Sequence, residues 1–393
     1  MGKASSAPRA AFIFLAQLVS VAGDKMFAIA LSWWVISNAA LPHPEWTLGL
    51  LLAASSLSSA VSGPFWGRLI DRHDKRLCMV LADVSRLLLM SALAWLAHDG
   101  GLTLPRLFAL CLPLFAFEPL FDSAVSASLA SFADSPPMLA RWVALESAIP
   151  NLGAVLGALL GSFALAAGVE AAFWFNAGTF LVSCLLVSGL PALPACTEPQ
   201  EADDEALSLS KRYPEAVRLL VLFGAINFFL VPVFLYLPLL VRDVLSADGS
   251  RLSLLELALA TGNLLVFGCF ALWPREFPRI RRLRFFLVAL SALFMWGLGV
   301  AESIEAMLAI LFVWGGALAF VTYLMFSSFQ RNIADSHKGR FFGTLTSALT
   351  LGFPLSFACF GLLLSRFPLP TVIVGNAACV ALVSLAFLTI PDR

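Results

Sequence analysis

Charge is what this sequence has least of. Only 13% of its 393 residues are Asp, Glu, Lys or Arg, against about 25% in an average soluble domain. The 25 basic and 25 acidic residues cancel, so there is no basic field to attract nucleic acid, and the few charges matter by position. Cysteine is equally uninformative. Cys78, Cys111, Cys184, Cys196, Cys269, Cys359 and Cys379 stand singly, and the four His are scattered, which excludes a disulfide framework and a zinc site. The chain has no Gly-x-x-x-x-Gly-Lys-Ser/Thr phosphate loop, so ATP does not drive it directly. Without a His, Cys or Ser cluster it does not read as an enzyme, and neither a metal nor a cofactor is expected.

Apolar residues are abundant instead, at 60% with a mean hydropathy of +0.89. A bilayer core about 30 Å thick takes about 20 apolar residues as a helix. Twelve runs meet that length: 11–37, 47–69, 77–98, 104–132, 143–168, 171–190, 215–242, 251–273, 285–301, 304–331, 340–366 and 369–390. Lipid offers no partner to backbone N–H and C=O, so these runs are helices, and the fold class is an all-α membrane protein. Lys3 and Arg9 before the first run imitate a secretory signal. The run is too long for one and carries Asp24 and Lys25 in its middle, so a retained first helix is expected.

Residues 191–214, with Pro191, Pro194, Pro199 and the acids Glu198, Glu201, Asp203, Asp204 and Glu205, interrupt the apolar pattern and read as a linker. The expected organisation is a six-helix bundle over 1–190, a cytoplasmic linker over 191–214, and a second six-helix bundle over 215–393. With both termini inside, nineteen of the 25 Lys and Arg fall on the cytoplasmic side, as the positive-inside bias requires. A basic connection at 274–284 occupies the place in the second half that residues 67–76 occupy in the first, a faint internal repeat.

Residues 67–76 are the most charged stretch between two apolar runs. Gly67, Leu69, Asp71, Arg72, Lys75 and Arg76 resemble the signature loop of the major facilitator superfamily, Gly-x-Leu-x-Asp-Arg-x-Gly-Arg/Lys-Arg/Lys, between helices 2 and 3. Asp74 stands where that loop has glycine. Phe175-Asn176-Ala177-Gly178-Thr179-Phe180-Leu181-Val182-Ser183, Gln330-Arg331 and Lys338-Gly339-Arg340-Phe341-Phe342-Gly343 resemble the drug:proton antiporter branch that includes macrolide-efflux and enterobactin-export proteins. The run Pro150 to Gly161 is similar to the antiporter motif Gly-Pro-x-x-Gly-Gly, with Ala154 and Ala158 at its proline and last glycine. The arginine that many drug exporters carry in helix 4 is absent. The resemblance implies two halves alternating access to a central site. It also implies that the loop, through Asp71 at a helix end and Arg72, Lys75 and Arg76, latches the cytoplasmic side; the plainer alternative is a solvated basic loop that fixes topology.

Asp24 in the first helix, and Glu118 and Asp122 in the fourth, lie at membrane depth, where a carboxylate is costly unless paired, hydrated or protonated. Glu118 and Asp122 are four apart and share a face, and their burial beside like charge suits proton coupling. Lys25 is about 100° round the helix from Asp24 and is free to meet an acid of helix 4. The alternative is a fixed charge network. Asp83 and Arg86, three apart, read as a local ion pair, Glu146 as an interfacial partner for a loop Arg, and Ser253 with Glu256 as a capping box. Gly153, Gly157 and Gly161 form a smooth stripe for close helix packing. Pro113, Pro119, Pro150, Pro232, Pro238 and Pro354 mark sites of bending. Phe27, Trp33, Trp34, Asn227, Phe228 and Phe229 are candidates to line a substrate cavity.

These features point to a secondary active exporter of the bacterial inner membrane, a monomer whose partners are protons, membrane lipids and an amphipathic cargo, either a drug-like compound or a siderophore. Lipid movement is a rival reading, because Gly23-Asp24 also occurs in similar transporters that flip lysophospholipids. A membrane sensor that has lost transport is a third reading, for which the altered helix-5 motif is the hint.

Overall fold

The computed structural model describes residues 6–133, 135–193, 213–273, 280–333 and 335–389, without the side chains of 6–9, 335–340 and 342–350. Its helices are α1 (Ser6–Ser37), α2 (Pro44–Arg72), α3 (Lys75–His98), α4 (Leu104–Ser128), α5 (Pro136–Ala167), α6 (Val169–Ser188), α7 (Pro214–Leu230), α8 (Val233–Leu239), α9 (Gly249–Leu272), α10 (Ile280–Val300), α11 (Ile304–Asn332), α12 (Asp335–Leu364) and α13 (Leu369–Ala386). No strand occurs among the described residues. Eleven segments are long and apolar enough to cross a membrane, one of them running through α7, α8 and the π-helical turn Leu240–Val244. The 30-residue α12 supplies the twelfth, with Leu351–Leu364 as its described apolar part.

The prolines behave unequally. Pro113, Pro119, Pro150 and Pro354 lie inside continuous helices and Pro238 inside α8, but Pro232, which has no N–H to donate, separates α7 from α8. Between α5 and α6 the chain turns at Gly168, whose φ of +118° is a conformation that only glycine adopts easily.

Contacts divide the chain into two compact units, Met1–Trp34 with Ala54–Gln200, and Val35–Ala53 with Glu201–Arg393. In the first unit α1 is gripped on two sides. A Cβ on Gly153 would lie 2.4 Å from Val21 Cγ1, and one on Gly157 would lie 2.3 Å from the Ala22 carbonyl, so the bare face of α5 meets the backbone of α1. A Cβ on Gly23 would strike Asn176 Oδ1 and Thr179 Oγ1 of α6 at 2.3 and 2.2 Å. Gly161 completes the stripe and is also buried. Helix α2 is joined to α4 through one face: Ser58 and Ser62 donate to the Leu112 and Ala116 carbonyls at 2.7 and 2.9 Å, and the Trp66 indole also donates to Ala116. Helix α3 packs on α4 and α6 around Ile13, Met79, Leu120 and Phe121.

In the second unit, α9 and α11 cross with their backbones in contact. Cβ atoms on Gly262 and Gly315 would meet the Phe312 and Leu259 carbonyl oxygens at 1.9 and 2.0 Å. The turn from α1 to α2 belongs to this unit. Arg242 holds it by donating to the Ile36 carbonyl and to Glu45, each at 2.9 Å. Helix α9 starts at Gly249, capped by Asp248, which accepts from the Ser250 amide at 3.0 Å. Ser253 therefore lies within the helix, and the capping box expected with Glu256 is not what begins it. The linker from 194 to 212, the connection 274–279 and the side chains of Lys338, Arg340 and Phe342 fall outside the described residues.

Candidate functional site

A cavity of ≈ 260 Å³ opens within the first unit. Asp24 and Lys25 reach it from α1, Arg86 from α3 and Glu118 from α4, beside the rings of Phe27 and Phe115, which are 6.1 Å apart. Pro150 and Ala154 of α5 close another wall. Ala154 is the residue standing at the antiporter motif's proline, so that departure from the motif falls on the cavity surface.

The ion pair here joins different helices. Arg86, only 3% exposed, donates to Asp24, which is 27% exposed towards the cavity. It also donates to Ser20 at 3.2 Å and lies 4.1 Å over the ring of Phe180. The expected local pair of Asp83 with Arg86 is corrected accordingly. Asp83 is fully buried and takes its hydrogen bond from Ser183 of α6 at 2.6 Å. A buried guanidinium needs a counter-charge close by, and a neighbouring helix supplies a nearer one than the turn before. Three carboxylates, Asp24, Glu118 and Asp83, act on Arg86 electrostatically.

Glu118 has no hydrogen-bond or ion-pair partner among the described residues, although Asp24 and Asp122 both act on it. Asp122, one turn along α4, sits beside Gln17 of α1 and within reach of Glu146. Glu146 itself accepts from the Ser126 hydroxyl rather than from a loop Arg. The structure thus brings Asp24, Lys25, Glu118 and Asp122 into one unit, three of them on the cavity, and adds Arg86. Sequence reasoning passed over Arg86 because Asp83, at i−3, offered it a partner; a basic residue deep in an apolar run was the available signal.

The six candidate lining residues separate. Phe27 lines this cavity. Trp33 and Trp34 follow it on α1 but are not among the lining residues. Asn227 donates to the Phe223 carbonyl of its own helix at 2.8 Å. Phe228 and Phe229 form an aromatic cluster with Phe360 in the second unit, with centroids 5.1 to 6.4 Å apart. Their carbonyls accept from Ser356 and Asn376.

The loop between α2 and α3 is shorter than expected. Helix α2 continues to Arg72, and Asp74 caps α3, accepting from the Arg76 amide at 2.8 Å. It also accepts from the Leu193 amide at 3.1 Å. The residue at the family's glycine position thus ties the loop to the chain leaving α6. Arg76 donates to the Leu190 carbonyl at 2.8 Å, and buried Lys75 donates to the Ala127 carbonyl near the end of α4 at 2.9 Å. Asp71 and Arg72 are exposed, and a Cβ on Gly67 would meet nothing within 4 Å.

Residues 13–357 match the family model of the Major Facilitator Superfamily. The chain is 26% identical over 380 residues to the uncharacterized MFS-type transporter YfiS of Bacillus subtilis, covering 89% of this chain and 85% of that protein. It is also 26% identical over 338 residues to the enterobactin exporter EntS of Citrobacter koseri, covering 75% and 78%. In fold it is similar to the nucleoside transporter NupG (TM-score 0.76, 10% identity, 97% of this chain and 98% of that one). The D-xylose-proton symporter gives a TM-score of 0.76 at 14% identity, covering 97% and 98%. With eleven membrane-length apolar helices among the described residues, a twelfth in α12 and a cavity lined by ionisable side chains within one helical unit, the chain belongs to the Major Facilitator Superfamily, and it is a multi-pass membrane transporter rather than an enzyme.

Proposed function

We propose that the protein exports an amphipathic small molecule, a drug-like compound or a siderophore, across the bacterial inner membrane by proton antiport, with both termini cytoplasmic. The observation that carries this reading is the cavity in which Asp24, Glu118, Lys25 and Arg86 meet the rings of Phe27 and Phe115. Aromatic walls suit the apolar body of an amphipathic cargo. A membrane-embedded carboxylate without a fixed partner, as Glu118 is, suits a group that takes up and releases a proton. The likeness to an enterobactin exporter supports export and a siderophore-sized cargo.

In this reading Asp24 and Glu118 share the cations Arg86 and Lys25 of the cavity, and cargo and proton compete for the acids. Asp71, Arg72, Lys75 and Arg76 guard the cytoplasmic entrance, Asp74 holding their loop in place. The test is reconstitution into liposomes with a panel of macrolides, catecholate siderophores and lysophospholipids, with and without an imposed pH gradient. Gradient-driven movement of a macrolide or siderophore is expected. Glu118→Gln is expected to reduce it by at least about tenfold, the effect of about 1.4 kcal/mol on a barrier. Movement indifferent to the gradient removes antiport, movement of lysophospholipid alone selects lipid transport, and no movement at all leaves the sensor.

A further inference from the structure

Asp83 does not line the cavity, yet among the described Asp, Glu, Lys and Arg side chains of the first unit it is the most deeply buried, with 0% exposure. Its Oδ2 accepts from Ser183, while its Oδ1 has no hydrogen-bond partner among the described residues. One turn along the same helix, Arg86 Nε is also buried and without a partner. Residues three apart share a helix face. An unpaired acceptor and an unpaired charged donor therefore lie side by side on α3, and leaving either unmet in a membrane interior is costly.

Helix α6 repeats the spacing. Phe180, whose ring lies under the guanidinium, and Ser183, which holds Asp83, are also three apart. The ring supports a cation on its face.

We propose that Asp83 is the second seat of the Arg86 guanidinium, occupied whenever Asp24 gives up its charge. The proposal rests on the proton-coupled reading above and adds a residue to it. A proton from the aqueous side adds to the Asp24 carboxylate, forming an O–H bond. The Arg86–Asp24 ion pair breaks, Arg86 keeps all its own protons, and its guanidinium pairs with Asp83. Loss of the proton from Asp24 reverses the exchange. Asp83 is thus a positioning residue. It keeps the buried cation neutralised while Asp24 is out of use, its own carboxylate remaining ionised throughout and resting on the Ser183 hydroxyl when Arg86 is on Asp24. Among the described residues the other ionisable groups around Arg86 are Lys25 on α1 and Glu118 and Asp122 on α4, with Glu146 of α5 beside Asp122; Ser183 and Cys184 of α6 face Asp83. All of them remain in place in either arrangement.

Thermal unfolding of the full chain in detergent tests the seat without cargo or gradient. Asp24→Asn hands the guanidinium to Asp83, so Asp83→Asn is expected to lower Tm at least about threefold more in the Asp24→Asn background than in the wild type. Equal decrements in the two backgrounds overturn the proposal. If Asp83→Asn is not recovered folded, Asp83→Glu takes its place: its longer reach is expected to lessen the cost of Asp24→Asn, and an unchanged cost overturns the proposal.

In liposomes, with whichever macrolide or siderophore the wild type moves, Asp83→Asn is expected to retain exchange at equal pH but lose the response to the gradient, and Asp83→Glu to regain part of it. A full gradient response in Asp83→Asn sinks the idea. A wild type indifferent to the gradient instead removes the coupling reading, and the unfolding cycle still decides whether Asp83 receives the cation.

Discussion

Asp74, Asp83 and Asp248 show how much of a carboxylate's role lies outside its own stretch of sequence. Asp74 occupies a glycine position in a recognisable loop, and only its bond to Leu193, 119 residues away, shows that it anchors the chain leaving α6. Arg86 and Asp24 are 62 residues apart, so no spacing rule relates them, whereas Asp83 and Arg86 obey one and yet are not the ion pair seen in the structure. The depth of Asp24, Glu118 and Asp122 was legible, because charge inside an apolar run is visible at once. Their partners were not, because partners are fixed by helix packing.

Asp248 is the residue-scale case with a pH signature. It lies outside the membrane-spanning segments, and the Ser250 hydroxyl and amide hold its carboxyl below the usual carboxylate range. A group whose folded value is depressed stabilises above its unfolded value, about 3.9 for Asp, and that contribution fades as pH falls through the lowered folded value. Asp248→Ala is therefore expected to cost about 1 kcal/mol at neutral pH, as loss of an N-cap does. Thermal unfolding in detergent should show the deficit at pH 7 and a smaller one in acid below the lowered folded value; an equal deficit in both conditions refutes the ionised cap.

At the scale of the element, the twelve apolar runs translated directly into helices because lipid permits no other open structure. Ends were harder. Helix α2 runs three residues beyond the expected 69, because Arg72 and its neighbours continue the helix into polar surroundings until Asp74 caps the next one. Helix α9 begins before Ser253 because Asp248 is the better cap. The stripe Gly153, Gly157 and Gly161 was legible as a contact surface, but not its partner α1.

That contact makes a sharp prediction. The atom facing Gly157 is the Ala22 carbonyl oxygen, 2.3 Å from a Cβ, and a backbone atom cannot swing aside. Gly157→Ala should cost about 1–3 kcal/mol, in the range of overpacked cores. Gly178→Ala on α6, where a Cβ meets nothing within 4 Å, should be neutral or slightly stabilising through helix propensity. Unfolding of the two variants in parallel checks the contrast, and comparable effects at both positions would contradict the proposed packing.

At the scale of the whole molecule, hydropathy and the loop motif were enough for the fold and the superfamily, while the cavity walls are assembled from four helices that no single stretch displays. The grouping of Val35–Ala53 with the second unit was also beyond the sequence, which divides the chain at its linker. The backbones of Gly49 and Gly361 approach closely there, and Arg242 fastens the turn. It satisfies the Ile36 carbonyl, one of the C=O groups left without a partner at the end of α1, and pairs with Glu45 in the first turn of α2. Its side chain is 29% exposed and that of Glu45 20%, so the ionic part is expected to contribute no more than about 1 kcal/mol. Glu45→Gln should therefore lower stability only slightly. Arg242→Ala should lower it more, because the Ile36 carbonyl also loses its donor, an additional cost of about 1–3 kcal/mol where water does not replace it. The exchanged variant Glu45→Arg with Arg242→Glu restores the pair with residue 45, but it turns an acceptor towards the Ile36 carbonyl and sets a second carboxylate beside Asp243, to which Arg242 also donates at 3.0 Å. Its stability should accordingly remain below that of Glu45→Gln. Full recovery in the exchanged variant would mean that charge alone fastens the turn, and that the carbonyl of α1 is satisfied by something other than Arg242.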